Sequence, residues 1–394
     1  MIKIVNGHVI TPGGIIKNGA VAIRDGIIIG VSDHDPEMPG ALVLDAGGRF
    51  ISPGFIDIHV HGGGGYDFMD NTVEAFLEIA KMHARYGTTA LFPTTLTGSA
   101  EDIISTLKTY DKAYPLNESG SEFMGVHLEG PYFAMNQRGA QDPRWIRDPD
   151  PEEYKYIISQ SGSIKRWSAA PELKGAIPFA RYLKSKGILP SLAHTDAIYE
   201  EVLEGFENGY TLATHLYSAM SGVTRRNAYR FAGVVESAFI IDDMDVEIIA
   251  DGIHLPAPLL KLIFKIKGPG KIALITDAMR GAGMPPGESV IGNIQTGIKV
   301  IIEDGVSKMP DRKSFAGSVA TADRLVRTMI QMADISLTDA IRMITMTPAV
   351  IMKIDSRKGS LTSGKDADVV IFDEFINIHT TMVKGKIVYQ SPVE

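Results

Sequence analysis

Residues 54–65 read GFIDIHVHGGGG. The first part is β-branched and aromatic, the composition of a strand, and it ends in His59 and His61. Residues i and i+2 of a strand face the same way, so both imidazoles can chelate one ion. Gly62 to Gly65 follow, and a loop without side chains lets backbone approach a metal or substrate closely.

Seven further apolar stretches of the same texture lie downstream: TTALFPTT (88–95), FMGVHLEG (123–130), IKRWSAAPE (164–172), ILPSLAHTD (188–196), YTLATHLYS (210–218), VEIIADGIH (246–254) and KIALITDAM (271–279). Each reads as a near-continuous apolar run, as parallel strands covered on both faces do. Most are separated by an amphipathic helical pattern. In NTVEAFLEIAKMHARYG (71–87), Val73, Phe76, Leu77, Ala80 and Ala84 share one face. Asn71 and Glu74 form a capping-box pattern there, and Gly87 a stop. Eight such strand–helix units make a (β/α)₈ barrel, an α/β fold of the TIM type.

The first fifty residues differ, alternating short β-branched runs with the hairpin signals Asn6-Gly7 and Asp25-Gly26. After the eighth strand, residues 287–318 return to short strands and turns, and LTDAIRMITMTPAVIMKI (337–354) reads as helix. The tail (359–389) resumes the texture of the N-terminus, so the two ends are expected to build a small β-sandwich. The expected division is a β-sandwich domain of residues 1–51 and 353–394 beside a barrel of residues 52–352.

The chain has 394 residues, a net charge of -8 and no cysteine. The negative balance argues against nucleic-acid or anionic-membrane partners, which need a cationic field. The lack of cysteine removes disulfides, thiolate catalysis and cysteine metal sites, leaving His, Asp and Glu as ligands. Residues 1–14 lack the pattern of a secretory leader, and no apolar run reaches the ~18 residues of a membrane span, so a cytoplasmic location is expected.

Polar residues close the apolar runs: His59 and His61, then Glu129, His194, His215, His254 and Asp277. In a barrel the C-terminal strand ends converge on one mouth. One histidine beside an apolar run is usually structural. Here six of the ten, counting His127, lie in or end barrel strands, which coincidence explains poorly. His127 is read as core packing. His8, His34, His83 and His379 lie elsewhere and carry no assigned chemistry. Four imidazoles with a carboxylate suit a divalent transition ion, zinc first and iron, cobalt or manganese next, better than magnesium or calcium.

The motifs PGFIDIHVHG, HLEGPY, AHTDA, THLYSAM, ADGIHL, ITDAM and GKDAD, in this order, resemble the N-acetylglucosamine-6-phosphate deacetylases of the amidohydrolase superfamily. The likeness spans nearly the whole chain, and HLEGPY with ITDAM is more specific than His-X-His alone. It implies Glu129, His194 and His215 as the core metal site, His59 and His61 as a second position, hence one or two ions per subunit, and Asp277 as acid/base. It also implies His254, Ser218, Ala219 and Ala140 at a phosphosugar substrate, with Arg226, among Arg225, Arg226 and Arg230, on the phosphate. The arginine is expected from a neighbouring subunit, in a homodimer. Many relatives carry Asn at Ser218 and His at Gln141. The implied reaction is hydrolysis of the acetamide to an amino sugar phosphate and acetate. Competing readings are an N-acetylgalactosamine-6-phosphate deacetylase, a D-aminoacylase, a cyclic-amide hydrolase, or a non-catalytic sugar-phosphate sensor on the same barrel.

Overall fold

Phe55–Val60 is buried along its whole length and forms the first barrel strand of the computed structural model, which describes residues 1–392. The other seven are Thr88–Thr95, Val126–Glu129, Ile164–Ala169, Leu189–Leu192, Leu212–Ala213, Asp245–Ile248 and Ile272–Leu274. Each pairs in parallel with its sequence neighbour. Between the eighth and first strands the ladder thins to one parallel bridge, Val60 with Ala278. The Asp277 amide bonds His59 O at 3.0 Å beside it. Asp57 reinforces this seam by accepting the Thr276 hydroxyl at 2.5 Å. The sequence-derived α/β barrel is the observed fold.

Seven helices lie between the barrel strands: Val73–Ala84, Ala100–Ala113, Pro151–Gln160, Ala176–Ser185, Tyr199–Asn208, Val234–Ile240 and Ala257–Lys267. The first buries Phe76, Ile79 and Ala80 in the same apolar core as Val126 and Leu128. Its N-cap is Thr72, whose hydroxyl accepts the Ala75 amide at 3.1 Å, one residue beyond the Asn71 expected from the capping pattern. Asn71 instead sits at φ 57° and ends the short 3₁₀ turn Phe68–Asp70. Asparagine tolerates that left-handed conformation, which explains the displaced cap.

The segment after the eighth strand forms a three-stranded antiparallel sheet, Gly287–Ile291, Ile298–Glu303 and Val306–Lys308. An eighth helix, Ala322–Gln331, then completes the ring, with Leu325, Val326 and Met329 buried. The helix expected over 337–354 is two, Leu337–Ile344 and Met346–Ile351. They break at Thr345, whose φ of -126° and ψ of -78° lie off the helix. Pro348 offers no amide to continue the helical ladder and fits only the first turn of the second piece.

Strands from both chain ends form one eight-stranded sheet in which Phe50–Pro53 lies between Ile2–Thr11 and Val369–Phe372. Ile4, Val21, Ile28, Ile51, Val369 and Met382 share its apolar core. The Asp25-Gly26 hairpin forms as expected, linking Gly14–Arg24 to Ile27–Ser32. Asn6-Gly7 does not turn the chain: it is an irregularity inside the ten-residue strand Ile2–Thr11. A Cβ at Gly7 would meet Ile51 Cδ1 at 2.4 Å, so close packing rather than reversal demands glycine there. Beneath the sheet, fully buried Lys358 is paired with Glu122 at 2.6 Å and Asp368 at 2.5 Å, tying the terminal sheet to the barrel. Residues 393 and 394 of the expected sandwich segment lie outside the described residues. Among the described residues no helix is long and apolar enough to cross a membrane.

Candidate active site

The ligand candidates sit at or just past the C-terminal ends of apolar strands. His194, His215 and Asp277 follow their strands at φ of 47°, 35° and 47°, in the left-handed region that non-glycine residues rarely occupy. Tyr217 and Ala219 do the same at 79° and 50°. Backbone held in this region costs about 1–3 kcal/mol per residue and clusters at functional sites. Here it turns side chains off the strand direction and into the mouth.

The side chains converge on Glu129. Its Oε1 lies 3.1 Å from His215 Nε2 and 3.4 Å from both His194 Nε2 and His59 Nε2. Its Oε2 lies 3.4 Å from His61 Nε2. Asp277 Oδ1 stands 3.2 Å from His61 Nε2 and 3.6 Å from His59 Nε2. Two donor triads result, His59–His61–Glu129 and Glu129–His194–His215, sharing the carboxylate, all buried. The structure thus brings together every ligand candidate read from the sequence, with Asp277 beside them.

This set fits a divalent transition ion. His59 Nε2 and His61 Nε2 approach to 3.3 Å, a distance at which one proton at most separates two imidazoles. A cation held by nitrogen and carboxylate donors satisfies such convergence in a way that hydrogen bonding alone does not. Two of the far nitrogens are braced: His194 Nδ1 donates to Gln137 O at 2.7 Å and His61 Nδ1 lies 3.3 Å from Thr94 O. Electrostatically, burial opposes charge on every member, but the charges offset one another. Burial would lower His59, yet Glu129 and Asp277 push it up to about 10. Burial would raise Glu129 and Asp277, yet the histidines hold both below the usual carboxylate range. His127 stands apart: burial and Arg166 hold it well below its ordinary value. It bonds Ser168 Oγ at 2.6 Å in the barrel interior, consistent with core packing.

A cavity of about 420 Å³ opens above the cluster. Its wall includes Ser218, Ala219, Ala140 and His254, all singled out from sequence, with His61, Glu129 and Asp277 at the floor. His254 is oriented by Asp251, Nδ1 to Oδ2 at 2.8 Å, and packs at a tilt against Phe315 with centroids 4.7 Å apart. Arg226 is not part of this wall in the single chain. It lies with Arg225 and Arg230 on an exposed hairpin, Thr224–Arg226 paired with Tyr229–Phe231. The glycine run also differs from expectation, since Gly62 to Gly65 do not line the cavity. A Cβ at Gly63 would meet Met82 at 1.9 Å, and His83 Nε2 donates to Gly62 O at 3.0 Å, so the run is packed against the first helix.

Sequence reasoning missed Gln137, Gln141 as a site residue, and the pair Glu247 and Arg166. Gln141 Nε2 donates to Glu129 Oε2 at 2.7 Å. The family likeness marked Gln141 only as a departure from the usual His, and a glutamine in a loop carries no pattern that would show what it bonds. Glu247 and Arg166 do leave a signal, opposite charges inside two apolar strands, VEII and IKRW.

A parallel barrel that gathers histidines and carboxylates at its C-terminal mouth has the architecture of a metal-dependent hydrolase. The chain belongs to the amidohydrolase family, whose profile matches residues 50–388. It is 34% identical over 388 residues to the N-acetylglucosamine-6-phosphate deacetylase of Bacillus subtilis, covering 97% of this chain and 96% of that one. It is 31% identical over 374 residues to the N-acetylgalactosamine-6-phosphate deacetylase of Escherichia coli, covering 94% and 93%. A solved structure of an N-acetyl-D-glucosamine-6-phosphate deacetylase mutant from Mycobacterium smegmatis, in complex with N-acetyl-D-glucosamine-6-phosphate, superposes with a TM-score of 0.90 at 26% identity, covering 98% of this chain and 99% of that one.

Proposed function

We propose that the protein hydrolyses the acetamide of N-acetylglucosamine 6-phosphate, releasing acetate and glucosamine 6-phosphate, with residues 52–352 carrying the chemistry beside the β unit of residues 1–51 and 353–394. The observation that carries this reading is Asp277 Oδ1, 3.2 Å from the His61 ligand nitrogen, at the floor of the cavity that His254, Ser218 and Ala219 line. Glu129, His194 and His215 hold the core divalent ion, zinc by preference, and His59 with His61 provide a second position. Bound there, the ion supplies Lewis acidity that polarises the acetamide carbonyl and eases ionisation of the attacking water.

Asp277 accepts the proton of that water as it attacks the acetyl carbon. It then returns the proton to the sugar nitrogen, so the departing group leaves as a neutral amine. His254, Ser218, Ala219 and Ala140 position the sugar, and Arg226 of a neighbouring subunit contacts the phosphate in a cytoplasmic homodimer. The 31% identical relative that acts on N-acetylgalactosamine 6-phosphate supports a second reading, the C4 epimer of the same substrate. Acetate release from both phosphosugars and from unphosphorylated N-acetylglucosamine tests the proposal. Turnover of either phosphosugar supports it and selects the epimer; release from none of the three refutes it.

A further inference from the structure

The barrel interior beneath His59 is charged. Arg166 and Glu247, on the fourth and seventh strands, are both fully buried and paired, with Arg166 Nη2 2.9 Å from Glu247 Oε2. Arg166 also donates to Ser191 Oγ at 2.9 Å, Thr214 Oγ1 at 2.7 Å and Ile58 O at 3.2 Å. Barrel interiors are ordinarily filled by branched aliphatic side chains. A buried ion pair is no requirement for stability either, since apolar replacement of both partners is often neutral or stabilising. The layer therefore calls for another reason.

Glu247 Oε2 lies 3.4 Å from His59 Nδ1, on the side of the ring opposite the ligand cluster. His127 packs edge-on against the same ring, centroids 4.7 Å apart, but spends its own Nε2 on Ser168 and so leaves His59 Nδ1 to Glu247. We propose that Glu247, fixed by Arg166, is a positioning residue for His59, setting the ring so that Nε2 faces Glu129 and His61. A carboxylate on the far nitrogen of a ligating histidine fixes its tautomer and raises its basicity. The inference rests on the reading of His59 as a metal ligand.

Cobalt(II) titration of the metal-free protein tests it, with affinity read by chelator competition and geometry by the visible absorption of the bound ion. The comparison is a cycle of four proteins: wild type, Arg166→Met/Glu247→Leu, His59→Ala, and all three substitutions together. The expected result is roughly ten- to hundredfold weaker binding in the apolar double variant, with an altered spectrum and no further loss once His59 is alanine. Unaltered affinity, or an equal loss in the His59→Ala background, overturns the positioning role. Should the double variant fail to fold by circular dichroism, Glu247→Gln replaces it in the same cycle, with the same two results overturning the role. Wild type that takes up no cobalt refutes the metal reading itself, which separates that failure from this one.

Discussion

Gln141 spans two anchors, donating through Nε2 to Glu129 Oε2 at 2.7 Å and accepting the Thr97 amide through Oε1 at 2.8 Å. The cavity loop and the carboxylate shared by both donor triads thereby hold each other in place. Gln141→Ala leaves the buried Thr97 amide unpaired and takes one donor from Glu129, with an expected loss of about 1–3 kcal/mol in stability. Metal affinity should fall with it by roughly tenfold. Denaturant unfolding beside metal competition reads both, and unchanged affinity would confine Gln141 to holding the loop.

Glu129→Gln should remove metal and activity together, because a neutral amide is a much weaker ligand than a carboxylate. Elemental analysis with an acetate-release assay measures both. Full metal content with normal turnover would refute the assignment.

Asp277→Asn should leave the fold and most of the metal in place but abolish turnover, since an amide neither accepts nor returns the proton. The diagnostic quantity is kcat at known metal stoichiometry. A near-normal kcat in the metal-loaded variant would rule Asp277 out as the proton carrier.

The exposed arginine hairpin makes a prediction about assembly. N-acetylglucosamine 6-phosphate should exceed N-acetylglucosamine in kcat/KM by at least ~100-fold, and Arg226→Ala should remove much of that difference, a charge-assisted contact being worth ~1.5–3 kcal/mol. Mixing Arg226→Ala and Asp277→Asn subunits should restore roughly a quarter of the wild-type sites, since random dimers each regain one complete site in half the population. No recovery, in a mixture shown to exchange subunits, would place the phosphate contact within one chain.

His83 provides a pH signature away from the chemistry. Burial holds its imidazole down to about 4 in the folded protein, against 6.5 ordinarily. Between those values the unfolded chain binds a proton the folded chain refuses, so the stability tied to neutral His83 is complete above pH 6.5 and drains as pH falls to 4. The change amounts to about 3 kcal/mol. His83→Gln, which can still donate to Gly62 O, should show a correspondingly flatter decline in acid. Parallel stability curves for the two proteins would mean that His83 takes up its proton in the folded state.

The eight barrel strands and the convergence of His59, His61, Glu129, His194, His215 and Asp277 were legible because periodicity and strand-end placement are local in sequence. What was hidden depends on partners distant in the chain. Asn6-Gly7 has the residues of a hairpin, and only its contact with Ile51 makes it a strand irregularity. Asn71 and Thr72 are both competent caps, and the preceding 3₁₀ turn decides between them. Gly62 to Gly65 read as a ligand loop because the packing of Met82 and His83 is invisible to a linear pattern. The Arg166–Glu247 pair was written in the sequence as two charges but becomes meaningful only when the fourth and seventh strands face each other.

The pairing of Phe50–Pro53 with Val369–Phe372 sets an order on the ribosome. From Pro53 to Val369 is 369 − 53 = 316 residues of synthesis. At ~5–20 residues per second that is roughly a quarter of a minute to a minute during which one edge of an early strand waits for its neighbour. An open edge of that kind is a template for pairing with other chains. The nascent protein is therefore most exposed to aggregation before Val369–Phe372 emerges, and chaperone demand should concentrate in that interval.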